Sequence, residues 1–110
     1  TFDFTIRESK NFIYLTRKKG SLSGNTYHEG KSDTTAPKIF LLLTGEIELK
    51  YRNINNKAHN TIKITEPSII KVNAFTTHSM EALSDFSILE CNSILDIQND
   101  RIKEDVVLQE

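Results

Sequence analysis

The chain has 110 residues, a net charge of −1 and an isoelectric point near 6.3, so it holds one modest core and lacks the basic field that attracts nucleic acid. No stretch approaches the roughly 18 to 20 apolar residues needed to span a bilayer, and no charged start, apolar middle and small-residue cleavage site occurs. Cys91 is the only cysteine; one thiol cannot close an internal disulfide, which fits a reducing compartment, so a cytoplasmic protein without a membrane or nucleic-acid partner is expected.

In chain order, the dominant period is two. Phe2, Phe4 and Ile6 alternate with Asp3, Thr5 and Arg7, and Phe12, Tyr14 and Thr16 alternate with Ile13, Leu15 and Arg17. Both stretches read as half-buried strands, because alternation puts every second side chain on one face. Lys18-Lys19-Gly20-Ser21 follows as a turn. Gly24-Asn25-Thr26-Tyr27-His28 is a strand-like run closed by a histidine, and the polar connection over residues 30–37 lies beside it, placed to cover a pocket mouth. Residues 39–43 are apolar on both faces, which predicts a strand covered on both sides, by a second sheet layer or by another subunit.

Thr44-Gly45-Glu46 is the next turn. Ile47, Leu49 and Tyr51 then alternate with Glu46, Glu48 and Lys50. Asn53-Ile54-Asn55-Asn56-Lys57 reads as a hairpin tip, before Ile62 and Ile64 in their own alternating run. Pro67-Ser68 and Asn73-Ala74 punctuate the later strands, and His78 follows the run that begins at Glu66. About nine short strands at regular spacing, with no helical stripe before residue 92, predict an all-β barrel or sandwich. The tail, residues 93–110, is open between two readings: a short helix on which Arg101 and Asp105 pair at i,i+4, or a strand through Val106-Val107-Leu108.

Gly24-Asn25-Thr26-Tyr27-His28, the apolar strand ending in Thr44-Gly45-Glu46, and the segment from Glu66 to His78 together resemble a cupin, the small double-sheet jelly roll. The resemblance covers about residues 11–92 and implies one cupin domain over residues 1–110, an all-β double-stranded β-helix with a short C-terminal helix as an option. The stretch from Lys19 to His28 is similar to the cupin half of capsular-sugar reductase/epimerases. It is also similar to small cupins that epimerise or isomerise nucleotide-linked keto-sugars. The family's metal motif has two histidines separated by one residue, then a glutamate, then a later histidine. On this chain those places hold Thr26, His28, Lys38 and His78. Two imidazoles beside an ammonium are a poor donor set for a divalent ion, so no metal or other cofactor is expected; if a metal binds, its ligands are His28 and His78.

The resemblance then implies a small-molecule pocket for a sugar nucleotide or small anion. His28 or His78 would be the general base, since neutral imidazole accepts a proton near neutral pH. Tyr27 is a further candidate acid, although strand parity turns it away from His28. Lys38 would stabilise an enolate oxygen, Arg17 or Arg52 would hold a phosphate, and Asn25, Thr26 and Glu90 complete the candidate ligand-binding set. Parity leaves Glu90 facing either the pocket or solvent. Tyr14 and Tyr51 read as core or rim residues, His59 as exposed, and Cys91 as a buried inert thiol. Three functional classes remain open: a metal-independent epimerase or isomerase, a non-catalytic binding module with a degenerate metal motif, and an assembly role through residues 39–43. A homodimer is compatible with each.

Overall fold

The computed structural model describes residues 1–35 and 37–108. Nine strands form among them: β1 (Ile13–Arg17), β2 (Leu22–Tyr27), β3 (Lys38–Thr44), β4 (Glu46–Asn53), β5 (Asn60–Thr65), β6 (Ser68–Val72), β7 (Thr76–Ala82), β8 (Phe86–Glu90) and β9 (Ile102–Lys103). One short helix, α1 (Ile94–Asn99), precedes β9. Residues 2–6, expected as a strand, form none. Their alternation finds no neighbouring ladder here, and period-two patterning alone supplies no hydrogen-bond partner. Phe2 stacks on Phe4 instead, with ring centroids 6.1 Å apart.

The strands sort into two antiparallel sheets, ordered β1-β8-β3-β6 and β5-β4-β7-β2-β9. Apart from β9, β1 pairs with β8, β2 with β7, β3 with β6 and β4 with β5, and every connection except the β4–β5 hairpin crosses between the sheets, the connectivity of a jelly roll. The alternation explains the core. Phe40, Leu42, Ile70, Val72, Phe86 and Ile88 face inward from the first sheet, and Ile47, Leu49, Met80 and Ala82 from the second. Leu42 and Ile47 are fully buried, each contributing roughly 1.5 to 3 kcal/mol. The expected double cover of residues 39–43 is only partial. Ile39 is buried, Leu41 is half-buried and Leu43 is exposed, so the outer face of β3 has no second sheet over its far end.

The tail corrects both readings. The helix stops at Asn99, so Arg101 and Asp105 are not a helical pair, and the added strand is β9, which pairs with β2. Residues 104–106 instead lie on the outer face of the second sheet, where Asn25 accepts from the amides of Glu104 and Val106. There they bury Arg52, whose guanidinium donates to Val106 O, Asp105 O, Asn56 O and the Glu104 carboxylate at 2.8–3.0 Å. Arg52 therefore holds no phosphate; its donors staple the tail. Arg52→Met keeps the aliphatic stem and is expected to cost about 3 kcal/mol in a urea melt, because several buried acceptors lose a charged donor. Hydrogen exchange at residues 104–108 should quicken in that variant while the core strands stay protected.

Among the described residues no helix is long and apolar enough to cross a membrane.

Candidate active site

The inner faces of the two sheets enclose a cavity of about 280 Å³. Its apolar walls include Leu15, Phe40, Met80, Phe86 and Ile88, and its polar groups are Arg17, Thr26, Lys38, His78, Glu90 and Arg101. Strand parity accounts for most of this set. Lys38 is two residues before Phe40 on β3, and Glu90 pairs opposite Phe40 from β8, so both point inward with that ring. His78 lies two residues before Met80 on β7 and is partnered by Thr26 on β2. A bulge between Gly24 and Thr26 lets Ser23 and Thr26 both face in while Asn25, at φ 59°, turns out. Gly24 is required there: a Cβ would sit 2.5 Å from the His78 carbonyl oxygen.

The rings of His28 and His78 come together, with centroids 6.2 Å apart and both residues buried. His78 forms part of the cavity wall; His28 packs beside it. His28 Nδ1 donates to the backbone carbonyl of Asp100. A carbonyl only accepts, so the proton sits on Nδ1 and Nε2 carries the lone pair. That Nε2, His78 Nδ1 and Glu90 Oε2 are buried without a hydrogen-bond partner among the described residues. Burial, reinforced by the nearby charges of Lys38 and His28, lowers the His78 pKa to about 3. Burial and Lys38 also lower that of His28, although the Asp100 carbonyl opposes the change. Both imidazoles are thus held toward the neutral form.

Lys38 Nζ lies 3.5 Å from Glu90 Oε1 and 5.0 Å from the Phe40 ring centroid. Both side chains are at least nine-tenths buried. Burial pushes the Lys38 ammonium down and the Glu90 carboxyl up, and their mutual attraction works against both shifts. Removing one member strands the other: Lys38→Met is expected to cost about 3 kcal/mol at pH 7. The double change Lys38→Met/Glu90→Leu should recover most of that, as read from denaturant midpoints in a double-mutant cycle.

The remaining candidates separate. Arg17 and Arg101 line the cavity from β1 and the tail, both are exposed, and neither makes an ion pair among the described residues. Tyr27 packs on Phe75, with centroids 6.3 Å apart, and is not on the cavity wall. Asn25 serves the tail on the other face, as described above. Glu90 faces the cavity. His59 is exposed, and Cys91 is buried with its thiol pKa raised by burial.

Two features escaped the sequence reading. Ile97 and Arg101 close one side of the cavity from the tail. Asp100, at the C-terminal end of α1, accepts from the amides of Glu29, Gly30 and Lys31 and from the Thr35 hydroxyl at 2.7–3.0 Å. The polar connection expected to cover the pocket mouth is gathered onto this carboxylate instead. Only Asp100's place just after an apolar helical turn hinted at a structural role.

No family model matches the chain, and no curated protein matches it in sequence. Solved structures do match in shape. CapF, a capsular polysaccharide assembling protein from Staphylococcus aureus, superposes with a TM-score of 0.73 over 90% of this chain at 18% identity. QdtA, a sugar 3,4-ketoisomerase from Thermoanaerobacterium thermosaccharolyticum solved with TDP, gives 0.67 over 88% at 16% identity, and this chain covers 68% of it. A 3,4-ketoisomerase from Helicobacter canadensis gives 0.69 over 88% at 17% identity, with 70% of that chain covered. The fold is that of the cupins. The chain spans only 27% of the CapF chain.

Among the described residues no three His, Cys, Asp or Glu side chains gather as a ligand set, and the place of the motif's glutamate holds Lys38, paired with Glu90. The cavity wall offers the His78 imidazole, the Lys38 amine and the Glu90 carboxyl, with the His28 ring packed beside His78, a set suited to proton transfer and oxyanion binding.

Proposed function

We propose that this cupin binds a nucleotide-linked keto-sugar and moves a proton beside its ketone, as an epimerase or isomerase, without a metal. The observation that carries this reading is a neutral His78 on the wall of a cavity that also presents Lys38. His78 would take the proton from the carbon next to the carbonyl. The electron pair would pass to the oxygen, held by Lys38 Nζ, a hydrogen-bond donor in either protonation state. Return of the proton to the other face gives an epimer; return to the former carbonyl carbon, with the adjacent hydroxyl's proton passing to the original carbonyl oxygen, gives an isomer. His28, its tautomer set by the Asp100 carbonyl, supports His78 from behind the wall. Arg17 and Arg101 stand at the cavity's edge where a diphosphate would lie, consistent with shape neighbours solved with TDP and with TDP-4-keto-6-deoxyglucose.

The low pKa of His78 makes it a weak base in the empty cavity. A bound dianion offsets the positive potential of Lys38 and raises that basicity at the moment it is needed. Incubation with TDP-4-keto-6-deoxyglucose and related keto-sugars in deuterated water is expected to place deuterium on carbon, read by mass spectrometry. His78→Gln should slow that exchange roughly 100-fold or more. No exchange with any of them, together with saturable ligand-induced thermal stabilisation, would favour the second reading, a binding module. That reading draws on the replacement of the motif's glutamate by Lys38.

A further inference from the structure

Lys38 is the one buried lysine among the described residues, and the other nine lysines of the chain are exposed or half-exposed. Its amine is not sealed in the core. Lys38 is one of the residues that line the cavity, so a molecule that enters the cavity meets this side chain. Glu90 Oε1 stands 3.5 Å from Nζ, and Glu90 Oε2 has no hydrogen-bond partner among the described residues. Phe40, Met80, Phe86 and Ile88 supply apolar walls around the pair.

We infer that Lys38 is a covalent site for small aldehydes and ketones, its Nζ condensing with a carbonyl carbon held in the cavity while Glu90 carries the protons. The lone pair of the neutral amine adds to the carbonyl carbon as the C=O π electrons move to oxygen. A proton passes from nitrogen to that oxygen through Glu90, giving a carbinolamine. The C–O bond then breaks: the hydroxyl takes a proton from the Glu90 carboxylic acid and leaves as water, and the nitrogen lone pair forms the C=N bond of an iminium. No oxidant or further reactant is consumed.

Each part of the site serves this step. An amine is nucleophilic only without its proton, and desolvation favours that form. The same desolvation favours the protonated carboxyl needed to expel water. Apolar walls exclude the bulk water that would return the iminium to the carbonyl. The inference shares with the proposed function the premise that ligands enter this cavity, and it does not depend on their being nucleotide sugars.

The test is reductive trapping. The folded protein is treated at pH 7 with glycolaldehyde and sodium cyanoborohydride, which fixes an iminium as a secondary amine, and each lysine is followed by peptide mass mapping. Lys38 is expected to be modified at least tenfold faster than the mean of the other lysines, with a rate that saturates in glycolaldehyde. A smaller ratio, or a rate that stays linear in glycolaldehyde, overturns the inference. Urea-unfolded protein supplies the control, in which the preference for Lys38 should vanish; a preference that persists there also overturns it. The outcome is separable from the exchange experiment, which uses no reductant and reads deuterium on carbon. Trapping without exchange leaves the lysine site standing and removes the proton-transfer reading, and exchange without trapping does the reverse.

Discussion

Acidification from pH 7 to pH 4 is expected to destabilise this protein by an amount set largely by His78. The imidazole has an ordinary pKa of 6.5 when unfolded and about 3 when folded. Between those values the unfolded chain holds a proton that the folded chain refuses, so unfolding takes up a proton and stability falls as pH falls. The contribution is complete above pH 6.5 and is lost progressively down to about pH 3. At pH 4 the loss is roughly 3 kcal/mol from this one group. His28 is lowered too and adds in the same direction. Denaturant melts from pH 7 to pH 4 should show the wild-type protein losing roughly 3 kcal/mol more than His78→Gln. Equal slopes in the two proteins would mean that His78 is solvated rather than walled in. The His78 ring resonances should correspondingly stay flat between pH 5 and pH 8.

The second large effect is expected at Asp100. Its carboxylate accepts from three consecutive amides and one hydroxyl, and its own backbone carbonyl accepts a hydrogen bond from His28 Nδ1. Asp100→Ala leaves three part-buried amides and the buried Thr35 hydroxyl without an acceptor, and each unmet group costs about 1 kcal/mol or more. Partial relaxation of the loop keeps the sum near 3 to 5 kcal/mol in a denaturant melt. Asp100→Asn retains only one acceptor oxygen and should fall between the two proteins. The same variants test the link to the site. The acceptor for His28 is a backbone carbonyl that alanine retains, so nitrogen NMR should show His28 protonated at Nδ1 in the parent and still so in Asp100→Ala. Unchanged stability in Asp100→Ala would sink the account.

Asp100 also gives the protein an acid limit distinct from that of the histidines. Burial works against its charge, but hydrogen bonds from Thr35 and from the amides of Glu29, Lys31 and Gly30 outweigh burial and hold the carboxyl below the usual range. Its contribution is therefore present above the ordinary carboxylate pKa and disappears only as pH falls below it.

The architecture was largely legible before folding. Alternation at Ile47 and Leu49, and again at Ile62 and Ile64, reports which side chains share a face, because a strand's period is a property of its own backbone. The same logic placed Lys38 with Phe40 and Thr26 with His28. It failed at residues 2–6, where alternation occurs without a ladder. It also failed at Asn25, where a single inserted residue turns the side chain to the other face. Arg52 looked like a free cation because nothing local says that the tail fifty residues later will cover it.

What the chain alone determined is local: strands that alternate, turns at glycine, and histidines at the ends of two such runs. What only the tertiary structure decided is which distant groups meet. The His28–Asp100 contact and the closure of the cavity by Ile97 and Arg101 join segments some seventy residues apart. The proximity of His28 and His78 is likewise made by the packing of β2 against β7. Face and period follow from the geometry of neighbouring peptides. Burial, tautomer and proton affinity follow from the charges and dipoles that folding brings alongside, and these are absent from any short window of the sequence.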